Sequence, residues 1–188
     1  MIDFNIAVDF VLKNEGGFVN NENDAGGATN FGISLRFLRQ LSIPKLRQYG
    51  LFRDPANLGV TDVESLTVDQ AKNIYQKEFW EEAPYEKLES QFIVNYLFDM
   101  SVLHGTSQAI KILQRATWAT RSITALGLQD DGFLGEYTIL AVNNIAVAPL
   151  LIALQAERAG YCRLLAAINP KDKENLHGWL NRCYRIEG

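Results

Sequence analysis

Glu15, Asp24 and Thr29 lie along a glycine-rich stretch that reads EGGFVNNENDAGGATNFGIS from Glu15 to Ser34. Glu15 is the one whose position suits proton transfer. Phe4, Val8, Val11, Leu12 and Glu15 follow helical spacing, so a helix capped by Asp3 and running to Glu15 carries the carboxyl on its apolar face. The negative end of the helix dipole and partial burial both disfavour its charged form, which is the condition a general acid needs. The competing reading is a surface glutamate at a frayed helix end. Asp24 and Thr29 are the polar groups that stand out in the loop, and their ordinary roles there are an Asx-turn and a hydroxyl satisfying backbone.

Other elements must hold this loop in place. Gly16 and Gly17 are expected to end the first helix in a left-handed conformation. The asparagines before Asp24 favour turns, and Ala28 to Ile33 is expected to be the return strand of a short hairpin. Ser34 caps a helix to about Leu41, Pro44 interrupts it, and Lys45 to Leu51 adds a further turn. Arg53 to Leu66 reads as an ordered loop. Thr67 with Gln70 forms a capping box, opening a helix that carries Ala71, Ile74, Tyr75 and Phe79 on one face and ends near Trp80. An apolar helix from Ser90 to His104 closes at Gly105, and Thr106 caps its successor. Asp130-Asp131-Gly132 is a tight turn before another helix. Later helices span Pro149 to Ile168 and Leu176 to Ile186.

Composition bounds the rest. With 188 residues, 47% hydrophobic and 21% charged, the chain can bury a real core. Its net charge of -4 argues against a nucleic-acid partner. No apolar run reaches the roughly 18 residues of a membrane span, so no stable membrane insertion is expected. The start lacks the basic and small-residue pattern of a secretory signal, which places synthesis in the cytoplasm. Cys162 and Cys183 read as buried free thiols. His104 and His177 have no partner ligands nearby in sequence, so neither a metal nor a cofactor is expected. The five basic residues between Arg36 and Arg53, with no acid among them, form either a solvated face or a surface for an anionic polymer.

The run Glu15-Gly16-Gly17-Phe18, then Asp24, Gly26-Gly27-Ala28-Thr29-Asn30 and Gly32-Ile33-Ser34 resembles the N-terminal motif of glycoside hydrolase family 108. That family contains N-acetylmuramidases and proteins labelled secretion activators. The order Glu, Asp, Thr is also similar to the catalytic set of phage-type lysozymes. Family members often carry Tyr where this chain has Phe18, and a loop proline that is absent here. The second half resembles a helical peptidoglycan-binding domain through Gly105, Leu113-Gln114, Asp131 to Gly135, and Thr138.

The resemblance implies an all-α, lysozyme-like fold with a small β-hairpin in the glycine-rich loop. It implies a hydrolase lobe over 1–98 and a peptidoglycan-binding lobe over 99–188, packed as one body. Glu15 would be the general acid, Asp24 the base or electrostatic stabiliser, and Thr29 the group that holds water. Glu22 is a rival for the second carboxylate. Asn30, Phe31, Tyr75 and Trp80 would contact substrate, which would be the β-1,4 bond between N-acetylmuramic acid and N-acetylglucosamine. The expected partner is the peptidoglycan strand, met by a monomer that reaches the wall by a holin-type or other release. A non-catalytic wall-binding or secretion-associated protein is the alternative, and an all-α interaction domain a third reading.

Overall fold

The structure, a computed structural model, describes residues 1–20, 27–120 and 127–185. It is mainly helical with one small antiparallel hairpin, as expected of a lysozyme-like chain. Residues 11–81 form one compact unit, and residues 1–10 with 82–188 form the other. The expected lobe boundary at 98/99 falls inside a single helix, whereas the break in packing comes at 81/82.

Helix α1 (Phe4–Asn14) begins where expected, because the Asp3 carboxylate accepts the Asn5 amide at 2.7 Å. Ala7, Val8 and Val11 are wholly buried, which anchors its apolar face. Helical bonding continues one residue further, with the Glu15 amide donating to the Val11 carbonyl at 3.0 Å. Gly16 and Gly17 depart from expectation, since neither has a positive φ. The chain runs on to Val19, which exchanges two 2.8 Å backbone bonds with Thr29. An extended exit of this kind needs no left-handed residue.

The hairpin consists of β1 (Thr29–Asn30) and β2 (Ile33–Ser34), with Thr29 opposite Ser34 and Asn30 opposite Ile33. Ala28 to Ile33 is therefore not one return strand but folds back on itself at Phe31-Gly32. Those two residues have φ of 51° and 76°. Positive φ at both central positions is the type I′ signature, whose twist matches that of the flanking strands.

In the same unit, α2 (Leu35–Gln40) is capped by Ser34 Oγ, which accepts the Phe37 amide at 3.1 Å. Pro44 lies in the first turn of α3 (Ile43–Gln48), so it starts a helix instead of interrupting one. The segment read as a loop contains α4 (Val60–Glu64), which the Asp62 carboxylate caps by accepting the Gly59 amide at 2.8 Å. The capping box of α5 (Val68–Glu78) is present in both directions, at 3.2 and 2.9 Å.

The other unit holds α6 (Gln91–His104), α7 (Thr106–Ala119), α8 (Glu136–Asn143), α9 (Val147–Ile168) and α10 (Leu176–Tyr184). Gly105, at φ 84°, both ends α6 and caps α7, so Thr106 is the first helical residue and not the cap. At its centre the fully buried Asp99 accepts Arg158 Nη2 at 2.7 Å and Arg182 Nη2 at 2.7 Å. The Arg158 guanidinium lies 5.0 Å from the centre of the Tyr96 ring, a cation–π distance. The Tyr96 hydroxyl donates to the Cys183 carbonyl, which ties α6 to α10. Among the described residues no helix is long and apolar enough to cross a membrane.

Candidate active site

The site is assembled within residues 11–81. Helix α1 delivers a half-buried Glu15 from its last turn. The Phe31-Gly32 turn packs against it. A Cβ placed on Gly32 would fall 2.7 Å from Glu15 Cδ and 2.5 Å from Tyr75 Oη. The turn, the carboxyl and the phenol thus converge on a spot that only glycine leaves open. The Tyr75 hydroxyl, on α5, donates to the Phe31 carbonyl at 2.7 Å and so pins the turn from the far side. Phe31 is the only non-glycine with positive φ among the described residues, and this bond helps hold that conformation.

The aromatic residues behind the turn are support. Tyr75 is 1% exposed, so its ring offers no face for a sugar to stack on, contrary to the substrate contact expected of it. The ring lies 5.7 Å from that of Phe79, which stacks at 5.8 Å on Phe37 of α2. Phe79, at the end of α5, and Phe37 of α2 therefore brace the Tyr75 ring. Trp80 is half-exposed at the start of the short 3-10 turn Trp80–Glu82.

Asn30 also faces inward. It is 5% exposed, and its amide donates to the Val63 and Glu64 carbonyls at 3.1 Å each. These belong to the last turn of α4, and the Val63 carbonyl also accepts the Leu66 amide at 3.2 Å, so Asn30 adds to the cap of that helix and anchors the hairpin. Thr29 is half-buried between its two backbone partners, and its hydroxyl donates to the Gly27 carbonyl at 3.4 Å. Asp24 and its rival Glu22 lie outside the described residues.

Sequence reasoning missed Glu78. It accepts the Tyr49 hydroxyl in a short hydrogen bond and Lys45 Nζ at 2.7 Å, joining α3 to α5. Burial first, and then Glu78, push the Tyr49 phenol above its usual range, so it stays a neutral donor. The basic stretch is partly consumed in the same way. Lys45 pairs with Glu78, Arg53 with Asp62, and Arg39 donates twice to the Leu58 carbonyl, while Arg36 and Arg47 are exposed. No group of three or more His, Cys, Asp or Glu suited to a metal occurs among the described residues.

A carboxyl that is braced by a rigid turn yet half open to solvent can meet a substrate oxygen in a fixed geometry, as general acid catalysis requires. The solved structure of Brucella abortus SagA is similar to this chain, with a TM-score of 0.64 and 22% identity over 97% of this chain and 94% of that one. At that identity the likeness is one of fold. No curated protein matches the chain in sequence. The sequence pattern of glycosyl hydrolase 108 matches residues 8–105, a span that contains Glu15, the hairpin, Tyr75 and Trp80. The chain therefore belongs to the glycosyl hydrolase 108 family.

Proposed function

We propose that this protein is an N-acetylmuramidase that hydrolyses the β-1,4 bond between N-acetylmuramic acid and N-acetylglucosamine in peptidoglycan. The observation that carries the reading is the Glu15 carboxyl held against the Phe31-Gly32 turn, inside the span matched by a glycosyl hydrolase family. Glu15 gives its proton to the glycosidic oxygen as the bond to the anomeric carbon breaks. Asp24 stabilises the oxocarbenium-like centre or takes a proton from the attacking water, and the Thr29 oxygen helps hold that water. Attack by water on the face opposite the leaving group inverts the anomeric centre. Phe31 and Trp80 line the sugar path, while Asn30 and Tyr75 shape it from behind.

Residues 99–188 supply a wall-binding surface in this reading. In support, a cavity of about 380 Å³ is lined by Leu128, Asp131, Phe133, Glu136 and Tyr137 among others. Phe133 and Tyr137 are 69% and 84% exposed, and aromatic faces of this kind suit sugar rings. Replacing both by alanine should reduce co-sedimentation with purified sacculi; undiminished co-sedimentation would remove this surface from the account.

The test of the activity is release of reducing ends and of free amines from purified peptidoglycan, comparing wild type with Glu15→Gln. Reducing ends from wild type alone, ending in muramic acid and without new amines, are expected. Binding to sacculi with no release by either folded protein would sink the muramidase reading in favour of a non-catalytic wall-binding protein.

A further inference from the structure

Helices α9 and α10 meet at two thiols. Cys162 Sγ and Cys183 Sγ lie 3.8 Å apart, both fully buried, and His104 Nε2 stands 4.0 Å from Cys162 Sγ. Both cysteines are free. Asp99 is shared by Arg158 and Arg182, and Arg158 Nε and Nη1 have no hydrogen-bond partner. The Arg158 guanidinium is wholly buried and favours a thiolate at Cys162.

The two sulfurs are not equivalent. The hydrogen bond from Cys183 favours the Cys162 thiolate most, burial works against it, and His104 and Arg158 add to it, so Cys162 is the more acidic thiol. The same bond, and then burial, push Cys183 up, so it keeps its proton. One thiolate with a protonated thiol donating to it is the pairing of an attacking and a resolving cysteine.

We infer that Cys162 and Cys183 form a covalent redox site that takes a small-molecule disulfide as co-substrate and closes to an intramolecular disulfide fastening α10 to α9. The Cys162 thiolate attacks one sulfur of the small disulfide, forming a mixed disulfide and releasing one thiolate. The Cys183 sulfur then attacks Cys162 Sγ, the mixed disulfide breaks, and the Cys183 proton passes to the departing sulfur. The small disulfide leaves as one thiolate and one thiol, and the two cysteine sulfurs together lose two electrons.

Geometry favours closure. A disulfide spans about 2.05 Å, so the sulfurs need approach by less than about 2 Å, within reach of side-chain rotation. Access comes from α10, a nine-residue helix held by Leu176, Trp179 and Leu180 packing on the cysteine pair and by Arg182 on Asp99. A helix of nine residues with few buried side chains is the kind of element that opens locally without global unfolding. Closure keeps Arg182 beside Asp99.

The test treats the full chain with oxidised glutathione in two arms, once as the native protein and once during refolding from denaturant. Free thiols are then alkylated under denaturing conditions, and the protein is mapped by mass. A Cys162–Cys183 peptide, with no alkylation at either cysteine and a Tm raised by roughly 5–15 °C, is the expected result. Cys183→Ser should stop at glutathione bound to Cys162, reporting the direction of attack. A disulfide formed only on refolding would overturn reaction at the native site, because an unfolded chain can pair two cysteines without it. Full alkylation of both cysteines in both arms would overturn it, as would disulfides found only between molecules.

Discussion

Gly32→Ala perturbs the point where three parts of the site converge. Its Cβ would lie 2.5 Å from Tyr75 Oη, 2.7 Å from Glu15 Cδ and 2.8 Å from Glu15 Cγ. Something must move. Tyr75 is buried, and its ring is braced by Phe79, so the half-buried Glu15 side chain is the group displaced. The left-handed φ of 76° adds roughly 1–2 kcal/mol of backbone strain for an L-residue. Loosening the Tyr75–Phe31 hydrogen bond adds about 1 kcal/mol. Together these predict a Tm loss of roughly 4–12 °C. A carboxyl displaced by about 1 Å predicts a rate loss on the order of 100-fold.

Gly50→Ala is the matched control, because Gly50 also has φ of 76° but its Cβ would meet only the end of the Gln70 side chain at 3.1 Å. Strain is common to both variants, and only Gly32→Ala reaches the carboxyl. Calorimetric Tm and reducing-end release should therefore diverge, with Gly50→Ala less stable than wild type but active. Full activity in a folded Gly32→Ala protein would refute the argument that this glycine sets the position of Glu15.

Asp99→Asn leaves Arg158 buried without its counter-charge and should cost about 3–5 kcal/mol, seen as a lower denaturation midpoint in urea. Burial alone would raise the Asp99 pKa, but Arg158 and then Arg182 overcome it and hold the carboxyl below its ordinary range. A depressed carboxylate stabilises the fold above its unfolded pKa of about 3.9 and loses that contribution as pH falls towards the folded value. Wild-type Tm should thus drop more steeply below about pH 4 than that of Asp99→Asn, and parallel curves would assign acid lability elsewhere. Asn30→Ala removes one donor each from the Val63 and Glu64 carbonyls, of which Val63 keeps the Leu66 amide at 3.2 Å, and should cost roughly 1–3 kcal/mol. An Asn30→Ala protein with unchanged Tm but weaker substrate binding would return Asn30 to the surface role that its sequence motif implied. Trp80→Ala should raise KM for glycan fragments while leaving Tm within about 2 °C, as removal of an exposed stacking face does. Unchanged KM would drop Trp80 from the sugar path.

Much of the local structure was legible without coordinates. Apolar spacing put Glu15 on the buried side of α1, Ser34 and the Thr67–Gln70 pair marked helix starts, and Gly105 marked the close of α6. Each is a short-range effect, settled by residues within one or two turns. The errors were short-range too, but they turned on alternatives of nearly equal energy. Pro44 can stop a helix or start one, and Gly59 with Asp62 carries too weak a signal to announce α4.

The helical class, the hairpin region and the family motif could be read from the residues alone. The surroundings of Glu15 come from packing: Tyr75 turns its hydroxyl to the Phe31 carbonyl, Asn30 caps a distant helix, and Gly32 leaves room for Glu15. Packing also decided that Asp99 meets two arginines and that Cys162 meets Cys183. Periodicity fixes which face of an element is buried, but not which residue from elsewhere in the chain arrives there. That choice belongs to packing, where hydrogen-bond geometry and excluded volume act between segments that no local pattern connects.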